Sequence, residues 1–148
     1  MKPDPGRRAG DRGFRGHRRR RTARRVALDI LYQADVLARS PRDVTREWRE
    51  AGKIVPDYAE ELVGGVQADQ AEIDAILGTH AEGWTVPRMA VVDRTILRVA
   101  CYEIRSGVPA AVAINEAVEA ANELSTEDSG RFINGVLGRI ARDDPQSG

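Results

Sequence analysis

Four consecutive arginines, Arg18, Arg19, Arg20 and Arg21, run straight into an amphipathic segment, RRRRTARRVALDILYQADVL over residues 18–37. At about 100° per residue, Val26, Ala27, Ile30, Ala34 and Leu37 share one face. Arg21, Arg25, Leu28 and Tyr32 fall roughly opposite. An apolar side for a core is thus paired with a side carrying guanidinium groups, an aromatic ring and a leucine. Cations beside an aromatic ring suit single-stranded nucleic acid, because charge holds phosphates and the ring stacks on a base. Packing of Tyr32 on another helix of the same chain accounts for this stretch equally well.

Other chemistry is sparse. His17 sits in a Gly/Arg-rich segment and His80 in a connector, and there is no HExxH, GxSxG, P-loop or dinucleotide fingerprint. The single cysteine, Cys101, lies on an apolar stripe, which favours a buried, inert thiol over a nucleophile. One cysteine excludes an internal disulfide framework and a Cys-rich zinc site, and fits a reducing compartment. Glu116, Glu119 and Glu123 recur along one helix face; a solvated face is the expected reading, contact with a basic protein the other. Asp93 opens a helix where the dipole favours an acid. No catalytic residue, metal or cofactor is expected. There is no transmembrane-length apolar run and no secretory h-region, so a cytoplasmic location is expected.

The formal net charge of zero conceals an asymmetry. Residues 1–25 hold 11 of the 23 Lys and Arg but only two acids, Asp4 and Asp11, so a basic arm precedes an acidic body. Residues 1–19 are expected to be a disordered Gly/Arg-rich tail, residues 20–142 a helical domain, and residues 143–148 a flexible tail. The first helix is read over Thr22–Arg39. Ser40-Pro41 reads as the N-cap and first residue of a short second helix bearing Val44 and Trp48. Pro56 opens a third with Tyr58, Leu62, Val66, Ile73 and Leu77 in register, closed by Gly78; Gly64-Gly65 inside it permit a close approach or a bend. Gly83-Trp84 marks a hinge, and Pro87 a short turn. Further helices follow at Val92–Ser106, with Ile96, Leu97, Ala100, Cys101 and Ile104 inward, and at Ala111–Leu124. The last runs to about Arg142 behind a capping box at Ser125–Asp128. The fold class is therefore all-α, about seven helices in two small antiparallel bundles, roughly residues 20–79 and 84–142.

Three stretches resemble the NusB family of bacterial transcription antitermination factors: RRTARRVALDILYQAD at 20–35, DRTILRVACYEI at 93–104, and VPAAVAINEAVEAANELSTEDSGRFINGVLGRIA at 108–141. The last is specific, since VAINEAVE followed by EDS and FINGVLG is hard to obtain from generic amphipathic helices. The resemblance implies a non-enzymatic, all-helical factor that binds the boxA element of nascent ribosomal RNA leaders with the ribosomal protein that acts as NusE. With other Nus factors, that assembly makes RNA polymerase resist termination. It implies RNA contacts at Arg20, Arg21, Arg24, Tyr32, Asp128 and Phe132, and NusE contacts at Asp93 and Arg98. Thr22 departs from relatives with arginine there, while Arg25 adds one nearby. Two alternatives are an RNA-delivery module, like the N-terminal domain of certain ribosomal-RNA methyltransferases, and a helical protein adaptor. A Leu28/Val36 stripe is a candidate homodimer seam.

Overall fold

The structure, a computed structural model, describes residues 9–143. Six α-helices and one 3-10 turn are present among these residues, and no strand. They are α1 (Ala9–Val36), α2 (Pro41–Glu50), α3 (Asp57–His80), the turn Val86–Arg88, α4 (Val91–Arg105), α5 (Ala110–Leu124) and α6 (Glu127–Asp143). The all-α expectation and the approximate helix count hold. α1 starts earlier than Thr22: it is helical from Ala9, within the stretch read as a tail. Arginine is a strong helix former, and no proline falls between Pro5 and Pro41 to stop the helix. The remaining expected tail residues, 1–8 and 144–148, lie outside the described residues.

α4 lies at the centre. Its expected stripe, Ile96, Leu97, Ala100, Cys101 and Ile104, is wholly buried. α1 and α3 pack on one side of it, α5 and α6 on the other, and α2 braces α1 against α3. One apolar core runs through all of them. Ala27 and Ile30 of α1, Leu62 and Leu77 of α3, and Ile133 and Leu137 of α6 are among its most enclosed members. Leu37, expected on the apolar face, is exposed, as is Leu124 at the end of α5.

The close approaches are local. A Cβ on Gly65 would fall 2.2 Å from the Tyr102 ring, so Gly65 seats α4 on α3, whereas Gly64 faces open space. Gly135 and Gly138 meet only the arms of Arg139 and Arg142; the tight glycine of α6 is Gly130, against Asn122. Asn134 is exposed and needs no internal partner. The cap of α6 sits one residue later than expected: Thr126 Oγ1 accepts from the Ser129 backbone N–H at 3.0 Å. Ser40-Pro41 opens α2 as expected, although the Ser40 side chain makes no capping bond.

α1 ends in a reversed turn. The Arg39 N–H reaches back to the Ala34 carbonyl at 2.8 Å, and Ala38 takes φ +52°. A left-handed backbone costs an L-residue about 1–2 kcal/mol, and glycine avoids it but loses more chain entropy on folding. Ala38→Gly is therefore expected to stabilise the fold by about 0.5–1 kcal/mol. A higher urea midpoint at unchanged m-value is the expected result; a lower midpoint would show that the turn is unstrained.

Candidate nucleic-acid interface

The arginines of α1 divide between two environments. Arg24 is 5% exposed and points into the core. Its Nε and Nη2 meet the carboxylate of Glu103, on α4, at 2.9 Å. Glu103 is itself buried and accepts a 2.5 Å bond from the Tyr58 hydroxyl of α3. Burial pushes up the Tyr58 phenol pKa, and the bond to Glu103 adds to this. Burial works against the charge on Arg24, but the hydrogen bond and charge of Glu103 outweigh it. Arg24 Nη1 is buried without a hydrogen-bond partner, 3.9 Å from Glu116. This residue, expected to meet RNA, is thus a structural cation inside the protein. Glu103 carried a legible signal: it stands seven residues from Ile96 and three from Ala100, on the apolar stripe.

The remaining arginines stay on the surface. The Arg20 guanidinium lies over the Tyr58 ring, 5.0 Å from its centroid, with its outer side in solvent. Arg21 and Arg25 edge the seam between α1 and α5. Arg21 bonds Glu116 at 3.0 and 3.2 Å and Glu119 at 2.8 Å, while Arg25 pairs with Glu123. The acids expected to form a solvated face are therefore matched against α1, and Glu116 is buried. A single helical wheel assigns such acids to water because the facing helix is absent from it. Leu28, expected to be exposed as part of a homodimer seam, is buried beneath this ladder; Val36 alone of that stripe is exposed.

Tyr32 is 43% exposed, so it is not a core residue. It rims a groove with Leu28, Val92, Ile96 and Leu124. Phe132 is half-buried with its ring edge-on to Trp84, centroids 6.5 Å apart, and Trp84 is 53% exposed. Trp84, read from sequence only as part of a hinge, makes this a two-ring surface. Asp128 is exposed at the start of α6 and pairs with Arg131.

The two residues expected to meet a protein partner are held internally. Asp93 is buried, accepts a bond from the Ser129 hydroxyl at 3.1 Å, and leaves Oδ1 unpartnered. Arg98 makes two bonds to Asp74, at 2.8 and 2.9 Å, and one to Asp35 at 3.2 Å. Asp35 also receives Arg94, whose hydrogen bonds hold its carboxyl below the usual range. Cys101 is fully buried, and burial pushes its thiol up to about 11, consistent with an inert side chain. No metal-ligating cluster and no membrane-length apolar helix occur among the described residues.

Removing Arg24 leaves Glu103 as an uncompensated buried charge. Arg24→Ala is expected to destabilise the fold by about 3–5 kcal/mol, read as a lower urea midpoint. A surface RNA ligand would leave the midpoint within a few tenths of the parent. The Asp35 carboxyl, lowered in the fold, contributes stability that is present above the unfolded carboxylate range and is lost as pH falls through the folded value. Asp35→Asn is expected to remove that part of the acid sensitivity, measured as a flatter midpoint-against-pH curve below pH ~4.

This arrangement has close counterparts. The NusB family model matches residues 21–142. The transcription antitermination protein NusB of Saccharopolyspora erythraea is 49% identical over 129 residues, covering 82% of this chain and 86% of that protein. That of Leifsonia xyli is 44% identical over 140 residues, covering 87% and 95%. Among solved structures, T. maritima NusB superposes with a TM-score of 0.75 at 31% identity, covering 84% of this chain and 91% of that one. A structure of the antitermination factors NusB and NusE in complex with double-stranded RNA gives 0.74 at 29%, covering 86% and 98%. With a matched core that takes in Arg24, Glu103 and the α1–α5 seam, the chain belongs to the NusB family.

Proposed function

We propose that this chain is a non-enzymatic transcription antitermination factor. It binds the boxA element of nascent ribosomal RNA together with the ribosomal protein NusE, and within the complex of Nus factors it helps RNA polymerase resist termination. The observation that carries the reading is the exposed cationic and aromatic surface of α1, Arg20 with Arg21, Arg25 and Tyr32, on a fold shared with a NusB–NusE–RNA complex. Arg19, Arg20 and the outer sides of Arg21 and Arg25 hold phosphates. Tyr32 and the Trp84–Phe132 pair offer stacking faces. Asp128, at the exposed start of α6, accepts from base or sugar donors. Arg24 serves this surface indirectly, by fixing how α1 is rotated.

The NusE surface is assigned to the first turns of α4 and α6. Asp93 and Ser129 tie these turns together, and Arg98 holds α4 against α1 and α3. Both Asp93 and Arg98 are positioning residues for that surface rather than its exposed contacts. The groove beside Tyr32 lies next to the same turn of α4, so RNA and protein partners meet adjoining parts of one face.

Binding of a boxA-like single strand and of a scrambled strand, followed by fluorescence anisotropy with and without NusE at two salt concentrations, tests the reading. Sequence preference that sharpens with NusE is expected. Equal, salt-sensitive binding to both strands, unmoved by NusE, would leave a helical adaptor with a basic arm. Tyr32→Ala is expected to weaken boxA-like RNA by about 1–3 kcal/mol with its urea midpoint unchanged. Arg19→Ala with Arg20→Ala is expected to flatten the salt dependence by about 0.7 per lost phosphate contact.

A further inference from the structure

The acids of α5 that meet α1 form a graded series. Arg21 and Arg25 stand one helical turn apart, as do Glu119 and Glu123, and they pair in the same order along the chain. α1 and α5 therefore run in the same direction past each other, with their charges in register. The innermost acid, Glu116, is enclosed, its side chain 8% exposed, whereas Glu119 and Glu123 are 54% and 61% exposed. Glu116 itself belongs to the core and the outer two acids stand in water. A carboxylate offers a guanidinium the same two-oxygen edge that a phosphate does. Exposed ion pairs of this kind are individually weak and exchangeable.

The seam leads to Tyr32. Leu124 follows Glu123 directly and rims the groove that Tyr32 enters from α1. A strand stacking on Tyr32 and continuing toward the arginine-rich start of α1 passes over Arg25 and Arg21, where the α5 carboxylates already sit.

We propose that Glu119 and Glu123 are specificity-determining residues for RNA: they occupy Arg21 and Arg25 as internal phosphate substitutes, and are displaced only by an RNA anchored elsewhere on the surface. This rests on the RNA-binding reading above. A strand held by charge alone gains little from these arginines, because each phosphate it brings must remove a carboxylate. A strand whose base edges are also read while it stacks on Tyr32 brings its phosphates to the seam at high local concentration and completes the exchange. The acidic ladder thus suppresses indiscriminate binding more than selective binding.

The test is RNA anisotropy on the full chain, comparing the parent with the double variant Glu119→Gln, Glu123→Gln. Glu72→Gln, which removes the same kind of charge beside Arg105 on the α3–α4 side, is the control. The double variant is expected to bind scrambled RNA roughly three- to tenfold more tightly. The boxA-like strand gains less, so discrimination falls. Its salt dependence on scrambled RNA should steepen by about 0.7 unit, as Arg25 becomes available to a phosphate while Arg21 keeps its bonds to Glu116. Glu72→Gln is expected to leave both affinities in place. A double variant with unchanged discrimination, or a control that matches it, overturns this inference while the RNA-binding reading stands. A parent with no RNA affinity overturns that reading itself. If the double variant has a lowered urea midpoint, Glu123→Gln alone gives the same comparison at the most exposed of the three acids, with an expected gain of roughly two- to threefold on scrambled RNA.

Discussion

One buried charge dictates much of the geometry. Glu103 sits in the last turn of α4, on the stripe that packs the core, and an ionised carboxylate there is tolerated only with its oxygens fully satisfied. Arg24 from α1 and the Tyr58 hydroxyl from α3 supply the satisfaction. Three helices distant in sequence are therefore joined at one point by bonds with strict direction, where apolar packing alone would permit rotation. With Arg24 turned inward, the side chains on either side of it are assigned. Arg20 lies back over Tyr58, Arg21 and Arg25 border α5, and Tyr32, two turns on, reaches the surface. The cationic face of α1 is a consequence of where one guanidinium had to go.

A second network repeats the logic at the other end of α1 with less burial. Asp35 takes Arg94 and Arg98 from α4, and Arg98 continues to Asp74 of α3. The same three helices are thus cross-linked twice, about three turns apart along α1. Each point fixes a rotation, and the two together fix a tilt. A rigidly set α1 matters for a nucleic-acid surface, because loosely placed cations contribute affinity without register.

The apolar pattern was legible because it depends on one helix at a time. The stripes of α3, α4 and α6 bury the residues their spacing assigns, down to Leu62, Leu97 and Leu137. What escaped depends on a second helix. Glu103 lies on the apolar stripe of its own wheel, but Arg24 looks like one more arginine of a basic run, and only their juxtaposition makes the pair core. Glu116 is buried for the same reason, and Gly65 rather than Gly64 is the contact glycine because of where Tyr102 lies. The tail was misjudged differently: Gly/Arg composition argues against a core but not against a helix, and α1 runs back to Ala9 on propensity. The wheel of α1 left Tyr32 either exposed or packed on another helix, and the fold leaves it exposed. Trp84 was undervalued because its value depends on Phe132, 48 residues later.

The charge asymmetry acquires a different meaning in the folded chain. In sequence it separates a basic arm from an acidic body; in space the two interlock, since Arg21, Arg24 and Arg25 each face acids of α4 or α5. The positive charge of these three arginines, which formal counting assigns to the start of the chain, is neutralised before any ligand arrives. A fully bare arginine helix would concentrate any polyanion indiscriminately, since phosphate attraction carries no sequence information. In the proposed reading, neutralising part of it shifts the balance from phosphate attraction toward base-edge contacts, which distinguish one strand from another, made by a strand seated on the rings of Tyr32, Trp84 and Phe132. The acids of α5 serve both ends of this arrangement. Buried Glu116 contributes to packing α1, and in the proposed reading exposed Glu119 and Glu123 limit what α1 can attract, so that one helix face would set both the position of the interface and its selectivity.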